Sequence, residues 1–507
     1  MSDEPSAFAR TATAPGRPGS RERRAARGPH RAGVRRLRRL TIGVTAAALV
    51  ATSGAAAVPP AVPVWSSPGL VGGGGAPYTG VPLPPHESLG ASYLPDSSVV
   101  RLRDGRMRLV PPGGGTAITV PADDPRVQAA VRADRAWLAS GTVPTGGLGE
   151  RYEAMSARAL LDLRLLTRPN GASQASWYGI WRYSWPRDSA FAAAAFAVSG
   201  HPAEARSVLE FMARVQDPDG TWAARYHVDG SPVEDGRDRQ LDALGWMLWA
   251  TWFARAAAPG EEASGDVGAG SAADLPGELW TMVRRAADHL ALSLDAEGLP
   301  PASSDYWERD PRTEEDPRRP TLGVVGPVLA GLRSAAALAE RGSDEAVRWG
   351  RAADRLSGAL VHQFAPYGYP RSPVKGGRMD TSVTFVAPPF APRDAGVTAA
   401  IAHAFAEQAL PNGGVLPGEE WPGNKEIAWT PEVALFGLAA AASGRTETAL
   451  DRLDWLQRHR TSLGVLPEKV GPDGHQAGVA PLGWTASMVV LSLAALEDPL
   501  PIPPTGP

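Results

Sequence analysis

From about residue 124 onward the chain shows an Ala/Leu-rich helical periodicity broken by Gly and Pro, and this constrains the fold more than any other feature. The periodicity predicts helices near 126–140, 150–167, 187–199, 202–216, 238–257, 275–294, 321–341, 343–363, 393–409, 431–443, 445–459 and 482–496. Some neighbours are joined by tight breaks: Gly200-His201-Pro202, Arg341-Gly342-Ser343 and Ser443-Gly444-Arg445. Breaks that short fold adjacent helices back as antiparallel pairs. Other joins are long, namely 217–237, 295–320, 364–392, 410–429 and 460–481. Six pairs with alternating short and long connections fit an all-α (α/α)6 barrel, or toroid, over residues 124–500. Short turns would close one end, and long loops would build a site at the other.

The N-terminal quarter has a different texture. Residues 98–120 alternate Val100, Leu102, Met107, Leu109, Ile118 and Val120 with Arg101, Arg103, Arg108 and Thr119, which reads as a short β-hairpin or meander. Residues 58–92 are rich in Pro and Gly, and with the β segment they form an arm over 58–123. Residues 1–39 hold eleven Arg against Asp3, Glu4 and Glu22, so the chain's net charge of −3 conceals −11 over residues 40–507. A short apolar run, Leu40 to Ala51, follows the basic head and leads to Ala55-Ala56-Ala57. This is the layout of an export signal over 1–57, with cleavage after Ala57, and Arg38-Arg39-Leu40 loosely suits a twin-arginine type. The competing reading is an uncleaved N-terminal anchor, the only membrane contact expected. Either way the body is extracellular or associated with the cell envelope. Segment 258–274 reads as low-complexity surface.

Several chemistries lose their support. An acidic body does not suit nucleic acid. With no Cys there is no disulfide, thiolate nucleophile or Cys-ligated zinc, and the nine His form no His-Glu-x-x-His pair. The chain lacks a Gly-x-Ser-x-Gly elbow, a Walker loop and a dinucleotide fingerprint, so neither metal nor cofactor is expected. Oligomeric state leaves no signature.

Aromatic residues mixed with acids and Arg carry the chemistry. Trp181, Trp185, Arg187 and Asp188 fall within eight residues, so flat faces stand beside forked hydrogen-bond partners, as sugar C–H faces and hydroxyls require. Asp188, just after Pro186, could instead merely complement a helix dipole. Ser304-Asp305-Tyr306-Trp307-Glu308 sets Glu308 against aromatic walls with Asp305 three residues away, and both influences raise a carboxyl pKa as a general acid needs. A Glu in a loop is ordinarily just solvated. Glu468, in Leu466-Pro467-Glu468-Lys469, is either a second catalytic carboxylate or an ion pair with Lys469. The run Asp235 to Asp242, including Gln240, leads into a helix with Trp246, Trp249 and Trp252 and is expected at the same mouth.

Taken in order, Trp185-Pro186-Arg187-Asp188, Gln240-Leu241-Asp242, Asp305-Tyr306-Trp307-Glu308 and Leu463-Gly464-Val465-Leu466-Pro467-Glu468 resemble glycoside hydrolase family 15, the glucoamylase family, over roughly 125–497. The resemblance implies an (α/α)6 barrel that hydrolyses α-glucosidic bonds with inversion and needs no metal. Glu308 matches the family's general acid, Glu468 its general base, and Arg187 with Asp188 the pair that holds sugar hydroxyls. Asp380 resembles a structural Asp-Ala-Ser element, and Pro481 to Thr485, with Trp484, the segment after the base. An inverting pair of carboxyl groups stands about 6.5–9.5 Å apart to admit a water.

Three departures stand out. Loop 412–424 contains no Arg where many relatives carry Arg-Tyr, Trp181 stands where a Tyr often sits, and Lys469 replaces a Gln. The large N-terminal β-sandwich of many prokaryotic members is also missing. The resemblance makes an exo-acting α-glucosidase the leading expectation for a carbohydrate substrate, and the departures leave its preference among α-glucosides open. Trehalase is its nearest rival, and a glycan-binding envelope protein without turnover comes next.

Overall fold

The computed structural model describes residues 90–112, 117–176, 179–257 and 275–506, so the expected export segment and the low-complexity stretch 258–274 lie outside the described residues. An antiparallel meander comes first: β1 (Ser92–Tyr93), β2 (Val100–Arg101), β3 (Met107–Leu109) and β4 (Ile118–Val120), paired in that order. Among the described residues twelve α-helices follow: α1 Pro125–Ala139, α2 Glu150–Leu166, α3 Pro186–Val198, α4 Pro202–Arg214, α5 Leu241–Ala256, α6 Gly277–Ser293, α7 Leu322–Leu338, α8 Asp344–Gln363, α9 Ala395–Gln408, α10 Thr430–Ala442, α11 Thr446–Arg458 and α12 Gly483–Glu497. Among the described residues none of them is long and apolar enough to cross a membrane.

Two kinds of helix alternate along the chain. α3, α5, α7, α10 and α12 are buried on nearly every face and are built from Ala, Leu, Val, Gly and Trp. α4, α6, α8, α9 and α11 bury one stripe only. A helix that is apolar all round has to be enclosed, whereas an amphipathic one can cover it from outside. The first set accordingly forms an inner ring and the second an outer ring.

The ring departs from the expected plan in one place. Its inner members touch in the order α3, α5, α7, a 3-10 helix at Thr381–Val386, α10, α12 and back to α3. The sixth inner position therefore falls to a short 3-10 segment within the stretch read as a loop. β-branched Thr381, Val383, Thr384 and Val386 restrict side-chain rotamers in a helix, and Pro388 forbids continuing it. The helix at 126–140, counted among the six pairs, lies outside the ring against α2 and the meander. Buried Asp134 fastens it there by accepting from Ser97 Oγ at 3.1 Å, Ser98 N at 2.7 Å and Arg164 Nη1 at 3.0 Å.

Aromatic rings fill the axis of the barrel. Phe191 lies 5.1 Å from Trp246, Trp246 lies 4.9 Å from Phe385, and Trp249 lies 5.0 Å from Phe390. Trp246, Trp249 and Trp252 thus belong to the core. α5 and α7 approach so closely that a Cβ on Gly245 would come within 2.2 Å of the Pro327 carbonyl oxygen, which only glycine avoids.

The chain path then places the functional end. Every connection from an outer to the next inner element is long: 167–185, 215–240, 294–321, 364–380, 409–429 and 459–482. All six open onto the N-termini of the inner elements, while 199–201, 339–343 and 443–445 turn tightly at the opposite end. A second small sheet, β5 (Ala428–Trp429), β6 (Lys469–Val470) and β7 (Gln476–Ala477), ties loop 409–429 to loop 459–482. From outside, Val100 and Leu102 of the meander join one apolar cluster with Leu463, Val465 and Ala480, which braces the loop carrying Glu468.

Candidate active site

Glu308 ends a tight turn that begins at Asp305. Its N–H donates to the Asp305 carbonyl at 2.7 Å, and the Trp307 N–H donates to Asp305 Oδ1 at 2.9 Å. The backbone at Glu308 has φ of +54°, a left-handed conformation that costs a non-glycine residue of order 1–3 kcal/mol. That conformation brings the carboxylate against Trp185, whose indole N–H donates to Oε1 at 2.6 Å. Arg187 Nη2 lies 3.9 Å from the same oxygen, and Arg237 pairs with Oε2.

Glu468 is held from the other side of the rim. Its N–H donates to Val479 O at 2.7 Å, and its carbonyl accepts from the Thr430 N–H at 3.0 Å. Gly478, at φ of +74°, leaves the space the side chain uses, since a Cβ there would lie 2.4 Å from Glu468 Oε2. Burial pushes the Glu468 carboxyl above the usual range, partly offset by Lys469 Nζ at 3.5 Å. Lys469 also lies over the Trp429 ring at 4.1 Å and the Trp181 ring at 5.9 Å.

Two chains of contact join these carboxylates. Arg187, beside Glu308, stacks over the Trp484 ring at 4.8 Å, and Trp484 opens α12 directly after the Glu468 loop. Trp181, under Lys469, lies on the 3-10 turn Gly179–Trp181 that leads into Trp185. The floor between them consists of inner N-termini: Arg187 and Asp188 of α3, Asp242 of α5, Glu432 of α10 and Trp484 of α12. Positive ends of helix dipoles converge there. Arg187 Nη2 donates to Asp188 Oδ2 at 3.2 Å.

Several buried polar atoms of this floor lack partners. Nε and Nη1 of Arg187, both oxygens of Asp242, Oε2 of Glu432 and Oε2 of Glu468 have no partner in hydrogen-bond geometry. Such atoms are costly unless a ligand or water satisfies them. Burial raises the Asp188 carboxyl, pushes Asp242 up to about 7 and pushes Glu432 up to about 8. A carboxyl whose folded pKa exceeds its unfolded value binds its proton more tightly in the native state. Its stabilisation is complete below the unfolded value near 4.5 and is lost as pH rises toward about 8. Glu432→Gln should therefore flatten the fall in stability between those limits, as read by urea denaturation of wild type and variant at matched pH. Parallel curves for the two proteins would refute this.

The expected site residues divide into two groups. Trp181, Trp185, Arg187, Asp188, Asp242, Trp307, Glu308, Glu468 and Trp484 gather at this end of the ring. Gln240 is buried, and its backbone pairs with Ser304 in a parallel bridge. Asp305 does not serve as a like charge on Glu308. Its oxygens accept from Thr321 Oγ1 at 2.6 Å and from Arg371 Nη2 at 3.1 Å, inside an ion cluster where Arg371 also meets Asp380 at 2.8 Å and Glu314 at 2.9 Å. Asp380 further accepts from the Tyr306 hydroxyl at 3.0 Å, in keeping with the structural part expected of it.

Arg237 lies within the run Asp235 to Asp242 expected at this mouth, whereas Glu432, Arg371, Trp421 and Trp429 have no role in the sequence reading. A sign of Glu432 was present, since Trp429-Thr430-Pro431-Glu432 repeats the Trp-Pro-acid helix start of Trp185 to Asp188. The Arg-free loop 412–424 supplies Trp421, packed edge-on to Trp307 and to Trp429 at 5.1 Å each. Among the described residues no group of three or more His, Cys, Asp or Glu is arranged to hold a metal ion.

A ring of six inner elements enclosed by outer helices, with long loops gathered at the inner N-termini, is the (α/α)6 class of fold. It is the fold of glucoamylases and related glycosidases. The chain superposes on a glycosidase variant in complex with glucose (TM-score 0.56, 22% identity, 68% of this chain and 96% of that one). It also superposes on a bacterial glucoamylase complexed with acarbose (TM-score 0.56, 16% identity, 74% of this chain and 60% of that one). In sequence it is 32% identical over 99 residues to an uncharacterized glycosyl hydrolase of Methanocaldococcus jannaschii. That stretch is 19% of this chain and 16% of the relative. No protein-family profile matches the chain.

Proposed function

We propose that this chain is a glycoside hydrolase, an exo-acting inverting α-glucosidase, with Glu308 as general acid and Glu468 as general base. The observation that carries the reading is the floor between them, where buried polar atoms of Arg187, Asp242, Glu432 and Glu468 lack partners that sugar hydroxyls would supply. Glu308 gives its proton to the glycosidic oxygen as the anomeric C–O bond breaks. A water on the opposite face passes its proton to Glu468, and its oxygen bonds to the anomeric carbon. Arg187 and Asp188 hold hydroxyls of the sugar at the cleaved end, and Trp185 keeps Glu308 aimed.

A second reading, trehalose cleavage, is kept open by one feature: loop 412–424 lacks Arg and instead supplies Trp421 to a wall with Trp307 and Trp429. Trehalose, maltose, isomaltose and starch, followed by proton NMR, separate the two readings. The glucosyl unit whose bond is cut is expected first as β-glucose, so starch gives β-glucose initially and trehalose gives one α- and one β-glucose. Initial release of α-glucose from starch, or of no sugar from any of the four, would count against the proposal.

A further inference from the structure

Arg237 comes from loop 215–240 and touches the oxygen of Glu308 that Trp185 leaves free. Only 22% of its side chain is exposed. Its other acidic contact is Asp235 Oδ2 at 3.3 Å, and Arg225 pairs with that same oxygen. Arg225 is itself buried, with its guanidinium over Tyr183 at 4.8 Å and Trp185 at 5.1 Å, so it stays in place. Two guanidinium groups thus share one carboxylate, and Arg237 completes its compensation with Glu308. Arg309, next in the chain, lies over Trp307 at 5.9 Å and flanks the same turn with another cation.

This arrangement conflicts with the chemistry proposed above. A general acid must be protonated before it can donate, and a neutral Glu308 no longer balances Arg237. A guanidinium four-fifths withdrawn from water with half a counter-ion is unfavourable. It also stands where the leaving group must sit, because the general acid touches the glycosidic oxygen. We infer that Arg237 recognises an anionic group, a carboxylate or phosphate, on the sugar or polyol that leaves, so that the preferred substrates are α-glucosides with a negatively charged aglycone. A forked guanidinium suits either anion. Glu468 poses no such problem before the reaction, since as a base it starts ionised beside Lys469.

The inference rests on the assignment of Glu308 as the acid, and the test separates the two. Maltose is compared with maltobionate, and trehalose with trehalose 6-phosphate; each pair differs in the charge of the aglycone. The charged member should have a kcat/KM about tenfold or more higher, and the ratio should fall to near one in Arg237→Gln while Arg237→Lys keeps part of it. Calorimetry on Glu308→Gln, whose amide mimics the protonated acid, gives a reading that needs no turnover. This variant should bind maltobionate about tenfold more tightly than maltose, and adding Arg237→Gln should erase the difference. Equal affinity for the two sugars, or a preference that survives the loss of Arg237, overturns the inference even when Glu308→Gln is inactive. Wild-type turnover in Glu308→Gln overturns the acid assignment instead.

Discussion

Glu308→Gln and Glu468→Gln are each expected to fold as the parent does and to lose about 10²–10⁴ in kcat, with sugar binding retained. The size follows from what each carboxyl supplies. Without the Glu308 proton the leaving oxygen departs as an alkoxide, and without Glu468 the attacking water keeps its proton. Neither amide can take over. In Glu308→Gln the amide oxygen can still accept from the Trp185 indole that meets Oε1 at 2.6 Å in the parent, so the left-handed turn at this position should persist. Initial rates on the most active member of the glucoside panel, with thermal shift by the same sugar, test both halves. Near-parental turnover in either variant would remove that residue from the chemistry.

The second large effect concerns stability. Arg371 is buried among Asp305, Asp380 and Glu314, and its guanidinium also lies over the Trp307 ring at 3.9 Å. These carboxylates hold its proton well above the ordinary Arg range, even though burial alone opposes the charge. Arg371→Met would strand three acids around an uncharged side chain, at a cost of about 3–5 kcal/mol. Because Asp305 also anchors the turn that presents Glu308, activity should fall along with the denaturation midpoint. Arg378, which pairs with Glu419 at 3.2 Å with 56% of its side chain exposed, is the control. Arg378→Met should cost less than about 1 kcal/mol. Similar losses in the two variants would show that the cluster is not the support described.

Much of the architecture can be read from residue order. Helices that are apolar all round, such as α3 and α10, alternate with one-faced helices such as α4 and α11, and burial demands follow directly from that alternation. The observed helix ends lie within about three residues of the periodic runs, the largest differences being at the end of α7 and the start of α5. Before α5, Gln240 is extended and bridges to Ser304, a pairing between segments more than sixty residues apart that no local pattern encodes. The 3-10 segment Thr381–Val386 escaped for the opposite reason. Its local propensity argues against a helix, and only its place between α7 and α10 makes it an inner element.

The site divides in the same way. Sequence by itself determined which residues carry usable chemistry: aromatic faces beside Arg187 and Asp188, a Glu after Trp307, and a Glu before Lys469. Tertiary structure decided which of the acids line the floor between Glu308 and Glu468 and which hold the loops in place. Asp305 and Glu308 lie three residues apart, yet one is spent on Arg371 and Thr321 while the other meets Trp185 and Arg237. The physical reason is that a carboxylate's role depends on the cations and donors around it. Here those partners arrive from loops 167–185, 215–240, 294–321 and 364–380, brought together only when the ring closes.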